Sequence, residues 1–351
     1  MSPKGDLAVS RNDLESGSRR VDPASPAMPL VRRGEICMML RMAAGTVDEL
    51  LLTREEWTEA ASTHRKLAQA WTQPTRDRRA RGEKHPVHDF LNTYYQISLG
   101  RLEIWHPGFG VALEDCSEAR ALFSERNYRF AEGSCTADPT LLDKKARARL
   151  QFMQRLLEAT QLRAPNFACH GLHEWAMVYR GTMIRHHETA PLRLSQGEID
   201  DVVESRPLCC THFDAFRFFS PVAQPLNRVQ PDLWTREENE QPGCIHVNMD
   251  LYKWSAKSQP WVSSALLWEC FLLAVKAREV DMRASPYDLS DYDYPPIAVE
   301  TEAGRASYEV EQRALEEEAR PLRRKLIAAL QIVLAAHEGE DHIRSDAGRS
   351  P

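Results

Sequence analysis

Apolar residues recur along this chain mostly at the three- and four-residue spacing of a helix, and the strict alternation of a half-buried strand is rare. Thr53 and Glu56 stand at the capping-box interval, and Trp57, Ala60, Ala61, His64, Leu67, Ala68 and Trp71 then fall on one helical face. A second helix is expected from near His85 and Pro86, carrying Phe90, Leu91, Tyr94 and Tyr95, and LEIWHPGFGVALED reads as a turn with a short strand on either side. Asp138 followed by Pro139 fits an N-cap with proline at the first helical position, ahead of a helix through Leu150, Met153, Leu156 and Leu157. Leu172, Trp175, Ala176 and Tyr179 are helix-spaced after Pro165, and Ser195 with Glu198 repeats the capping-box interval. The stretch WVSSALLWECFLLAVKAREVDM is apolar nearly all round between Ala265 and Val275, which predicts a central buried helix. A last helix is expected from Gly304 to Ala336, kinked or broken at Pro321. The fold class predicted is mainly α: one compact helical domain with a minor short β element.

Residues 1–48, rich in Arg, Ser, Pro and Gly, read as a flexible N-terminal extension, with Met28 and Met42 as alternative starts. Residues 49–336 form the expected helical catalytic or binding domain, and 337–351 a disordered tail. No run of about 18 apolar residues occurs and no signal core precedes the domain, so no membrane span and a cytoplasmic location are expected. Eight cysteines are scattered without a C-x-x-C pair, which suits reduced, buried thiols better than a disulfide framework or a zinc ribbon. A net charge of −6 excludes a strongly basic, nonspecific nucleic-acid binder but leaves room for a local basic face.

Histidines cluster with carboxylates: His85 and His88 with Asp89, His170 and His173 with Glu174, His186 and His187 with Glu188, His212 with Asp214, and His246 with Asp250. His170, His173 and Glu174 can share one helical face, the arrangement from which helix-borne zinc and non-haem iron sites are built. The order H-x-x-H-E matches neither H-E-x-x-H nor H-x-x-E-H. Glu174, beside Trp175, is placed for a raised pKa and acid–base work, or for a salt bridge to Arg180 or Arg217. Phe213, Phe216, Phe218 and Phe219 floor a planar-ligand pocket or fill the core. Arg283 with Ser285 can hold a phosphate or carboxylate, or simply close a helix end. The basic run Arg76, Arg78, Arg79, Arg81 and Lys84 is the best candidate for phosphate-backbone contact.

With these residues in view, the chain resembles a family common in actinobacteria and carried under the label 3-methyladenine DNA glycosylase. The resemblance lies in RGEKHPVHDFLNTYY (81–95), WHPG (105–108), GLHEWAMVYR (171–180), HFDAFRFF (212–219), PLN (225–227), MDLYKW (249–254) and DMRASPYDL (281–289), and it spans roughly residues 51 to 325. It implies a DNA-repair hydrolase that cuts the N-glycosidic bond of alkylated bases such as 3-methyladenine. Such an enzyme extracts a base, stacks it on aromatics and places a carboxylate near the sugar. A helix-hairpin-helix with a Gly-Pro-Gly hairpin and catalytic Asp, a Cys/His zinc arrangement and tandem helical repeats are all missing from the sequence.

On this reading the catalytic candidates are Glu174, His173, Asp250 and Asp214. Trp175, Tyr179, Phe216, Tyr252 and Arg283 would bind the substrate, and the basic run would bind DNA. The alternative is a helical enzyme acting on a small molecule with a divalent metal, its ligands drawn from His85, His88, His173, Glu174, His212 and Asp214. A weaker option is a binding protein whose polar clusters only organise the core.

Overall fold

The computed structural model describes residues 50–181 and 190–347, with side chains to 338, and it is mainly helical with one small sheet. The expectations for residues 1–48 and for His186, His187 and Glu188 lie outside the described residues. In chain order the elements are β1 (Leu50–Leu52), α1 (Arg54–Ala80), α2 (Phe90–Tyr94), α3 (Leu99–Glu103), β2 (Val111–Glu114), α4 (Ser117–Leu122), β3 (Tyr128–Ala131), β4 (Ser134–Ala137), α5 (Lys144–Leu162), α6 (Leu172–Val178), α7 (Gln196–Glu204), α8 (Phe213–Phe216), α9 (Arg236–Asn239), α10 (Ile245–Lys257), α11 (Ser264–Arg283) and α12 (Glu302–Ala347). No helix among the described residues is long and apolar enough to cross a membrane.

The sheet runs in the order β1-β2-β4-β3, with β1 and β2 parallel and the other pairs antiparallel. Glu132 and Gly133 join β3 to β4 with positive φ at both positions (51° and 77°), the backbone of a type I′ turn that matches the twist of the strands. Both capping boxes form: Thr53 and Glu56 start α1, and Ser195 and Glu198 start α7. Asp138 caps only a short 3-10 turn, Pro139–Leu141, and the following helix α5 takes Asp143 as its own N-cap.

Three elements depart from expectation. Leu102 and Glu103 are the end of helix α3, so LEIWHPGFGVALED contains one strand, not two. The basic run is not a connector at its start: Arg76, Arg78 and Arg79 belong to the last turns of α1, which continues past Pro74. Helix α12 likewise continues through Pro321 and runs beyond residue 336. There His337 is buried and its Nδ1 lies 2.9 Å from the Pro139 carbonyl oxygen.

The core is organised around α10 and α11, which share the most extensive helix–helix contact among the described residues, with α12 laid against both and α5 laid against α12. In α11 the predicted burial is realised: Leu266, Leu267, Cys270, Leu273, Ala274 and Ala277 are all buried. Helix α10 is enclosed more completely still, with every residue from Ile245 to Ala256 buried, including His246, Asn248, Asp250 and Lys253. A helix that carries ionisable groups on an all-round buried surface must give each of them a partner inside the protein.

Leu267→Ala, at a fully buried position of α11, is expected to lower stability by about 3 kcal/mol. A shift of the urea midpoint with an unchanged denaturant slope is the reading that agrees with this expectation.

Candidate active site

The buried ionisable groups of α6, α10 and α11 form one continuous chain of contacts. Glu174 Oε1 lies 2.9 Å from Arg278 Nη1, which is also 2.6 Å from Asp281 Oδ2. The other oxygen of Asp281 is 2.5 Å from His173 Nε2. The His173 ring meets His246 edge-on at 4.4 Å between centroids, and His246 is stacked near His212 at 5.4 Å. His212 Nε2 is 3.3 Å from Asp250 Oδ2, which also receives Lys253 Nζ at 2.7 Å. Lys253 reaches on to Asp214 at 3.1 Å, and Asp214 pairs with Arg217 at 3.2 Å. Arg236 joins the chain through Glu240 at 2.6 Å and Asp250 at 3.4 Å.

Charge balance explains the protonation states. The enclosed carboxylates of this chain are Glu174, Glu240, Asp250 and Asp281, and its fixed cations are Arg236, Lys253 and Arg278. That leaves the network one positive charge short. His173 supplies it: burial alone would push its pKa down, but the charge and hydrogen bond of Asp281, with the contact to Cys169, hold it well above the usual histidine range. His246 goes the opposite way. Burial, followed by the positive His173 beside it, pushes it well below that range, so it is a neutral imidazole. Burial also opposes ionisation of Asp214, yet Lys253 and the other nearby positive groups hold its pKa below the ordinary value.

This chain opens onto a cavity of about 740 Å³ at Glu174, Asp214, His246 and Arg278. The facing wall comes from the end of α1 and the segment after it, with Arg79, Glu83, Lys84, His85 and Asp89, and from Phe90 and Tyr94 of α2. The rings of Phe90 and Tyr94 are stacked at 4.7 Å and 10°, and Phe218 meets Tyr94 edge-on. Arg278 lies over Phe90 at 3.9 Å. Three of the segments that carry the family resemblance, 81–95, 171–180 and 212–219, therefore supply cavity walls. Gly171 holds φ at +72° just before α6, and a Cβ there would sit 3.1 Å from Ala284 Cβ and 3.4 Å from the Tyr308 ring. Glycine is thus required both by the backbone and by the close approach of α11 and α12.

Of the catalytic candidates, Glu174 and Asp214 line the cavity, while His173 and Asp250 lie behind it in the buried chain. The partner of Glu174 is Arg278, not Arg180, which binds Glu204, nor Arg217, which binds Asp214. His170 does not share a face with His173 and Glu174, because it precedes α6 with φ of 46°.

The substrate-binding candidates are elsewhere. Trp175 is fully buried, with Nε1 donating to the Ala284 carbonyl at 2.8 Å. Tyr179 donates its hydroxyl to Glu204, Phe216 packs on Phe219, and Tyr252 packs on Phe271 and Tyr95. Arg283 donates to the Pro295 carbonyl. In each case the segment's apolar packing decided the side chain's direction. The residues that do reach the cavity, Phe90, Tyr94 and Phe218, come from short helices and turns where helical periodicity is too brief to read.

Arg76, Arg78 and Arg81 are engaged with Glu103, Asp89 and Glu83, whereas Arg79 and Lys84 line the cavity. The four histidines named as metal candidates do not converge. His85 and His88 stack on each other at 4.2 Å, and His85 Nδ1 accepts the backbone N–H groups of Val87 and His88. Burial, with the charges of His88 and Arg78, pushes His85 down to about 4.

His173 and His212 fall in two separate groups at metal-ligand spacing, His173 with His246 and Asp281, and His212 with Asp214 and Asp250, each with ligand atoms within 4.8 Å of one another. Both groups already hold a protein cation: Arg278 on Asp281, and Lys253 between Asp214 and Asp250. Arg278, Asp281, Cys169 and His246 are among the residues that sequence reasoning did not assign to a site. The signal for the first two was a pair of opposite charges three residues apart, just after the apolar run of the central helix.

Because His173 has its pKa raised on folding, its contribution to stability is complete below about pH 6.5 and is lost as the pH rises through the folded value. His173→Gln should cost about 3 kcal/mol at pH 6, as expected for breaking a buried pair. The gap between wild type and variant should narrow towards pH 9 in denaturant titrations at the two pH values. No protein-family model, no curated protein and no solved structure matches this chain.

Proposed function

We propose that the cavity is the active site of a hydrolase that cleaves the N-glycosidic bond of a nucleoside-sized unit carrying a modified base, in line with the family resemblance. The observation that carries this reading is His246. It is buried at the cavity wall, held neutral, and its Nδ1 has no hydrogen-bond partner. A neutral imidazole with a free ring nitrogen is equipped to take a proton from water.

The rest of the cavity suits the same chemistry. The Phe90–Tyr94 pair offers a flat aromatic wall to a base. Asp214, and Glu174 in its pair with Arg278, place negative charge where a sugar develops positive charge as the bond to nitrogen breaks. In this step water oxygen bonds to the anomeric carbon, its proton passes to His246 Nδ1, and the bond electrons leave with the base. A cationic alkylated base would leave neutral, which makes it a better leaving group than an uncharged one. Arg79 and Lys84 stand on the same cavity and suit a phosphate attached to the sugar.

Free base should be released when the protein is incubated with a panel of alkylated nucleosides, nucleotides and methylated single- and double-stranded DNA and the products are separated by chromatography. His246→Gln should lower kcat by about 100-fold with the fold intact. Absence of base release across the whole panel would sink the proposal.

A further inference from the structure

Cys169 lies one turn ahead of His173, outside the residues that line the cavity. Its Sγ is 3.6 Å from His173 Nδ1, while the other nitrogen of the ring, Nε2, is 2.5 Å from Asp281 Oδ1. Asp281 is in turn fixed through its second oxygen by Arg278 at 2.6 Å. The order is thiol, imidazole, carboxylate, each within contact of the next, the geometry that activates nucleophiles on unrelated folds. Cys169 is half-buried, so it is the one member of the three that solvent reaches.

Among the described residues the other thiols lack this arrangement. Burial pushes Cys135 and Cys270 up to about 12, and it also raises Cys209, Cys210 and Cys244. The groups that face the pair are Asp281 from α11, His246 from α10, Tyr308 from α12, and the thiols of Cys209, Cys210 and Cys244. None of these other neighbours is a carboxylate.

We propose that Cys169 is a second reactive centre, oxidised by small hydroperoxides to a sulfenic acid, with His173 as its proton relay and Asp281 as the positioning residue. A small two-oxygen electrophile suits a half-buried thiol that no large cavity serves. Cys169 and His173 share one transferable proton. The Sγ–O bond forms as the peroxide O–O bond breaks, and the shared proton passes through Nδ1 to the departing hydroxide, which leaves as water. Sulfur is oxidised by two electrons and the peroxide is reduced by the same two. The site is separate from the proposed hydrolysis, since neither Cys169 nor His173 lines the cavity.

The test uses the full-length reduced protein, hydrogen peroxide and dimedone as the sulfenic-acid trap, with labelling followed at each cysteine by peptide mass spectrometry at pH 7. Cys209, half-buried in the same molecule, is the internal control. Cys169 should label about tenfold faster than Cys209, and His173→Gln should bring it down to the Cys209 rate. Equal rates for the two cysteines in the wild type, or an unchanged Cys169 rate in the variant, would overturn the proposal. If circular dichroism shows that the variant does not fold, the wild-type ratio decides alone.

Discussion

Asp281 is the group on which the centre of this protein depends. It is fully buried, and a carboxylate without solvent is tolerated only when its charge is met at close range. Arg278 meets one oxygen and His173 the other. Those two partners are themselves buried, so each needs company in turn: Arg278 takes Glu174, and the charge on His173 suppresses protonation of His246. A single enclosed carboxylate thereby fixes the side chains of three helices, α6, α10 and α11, relative to one another. Hydrophobic packing brings the helices together without directional preference. The ionic chain is what specifies their rotation.

The same chain ties stability to chemistry. The groups that offset Asp281 reach the cavity at Glu174, Arg278 and His246, so the cavity inherits protonation states set by the core. A solvent-exposed histidine would titrate near pH 6.5 and spend part of its time charged. His246 does not, because burial, and after it the positive charge of His173, opposes its protonation. The arrangement costs the fold several buried charges that an apolar core would not contain. What it returns is a neutral imidazole and paired carboxylates on one wall, fixed by the core.

How much of this was legible beforehand follows from the range of each interaction. Capping boxes at Thr53 and Ser195 and the burial of α11 were readable because they depend on residues a few positions apart or on one uninterrupted apolar run. The mainly helical class followed from the same spacing. Pro321 was a poor guide because a helix held by a long packed face absorbs a lost hydrogen bond. Within the site, Glu174 and Asp214 were identified as candidates and do line the cavity, since a charge amid apolar neighbours signals a required partner. The identity of that partner was not readable: Arg278 lies 104 residues from Glu174, and nothing local links them. Trp175 and Tyr252 were misplaced for the converse reason, because an aromatic has the same local signature whether it stacks on a ligand or fills the core.

His173 stands where the two proposed chemistries meet. Its Nε2 side is committed to Asp281 and keeps the proton that renders His246 neutral; its Nδ1 side faces Cys169. If oxidation of Cys169 carried the shared proton away through Nδ1, the ring would lose its charge until it was reprotonated, with Asp281 as its remaining charged contact. The neutrality of His246 rests on that same charge, together with burial. A change at that half-exposed thiol would reach the cavity wall through one ring, over a path made of direct contacts. That coupling follows from having built both sites around a single enclosed carboxylate.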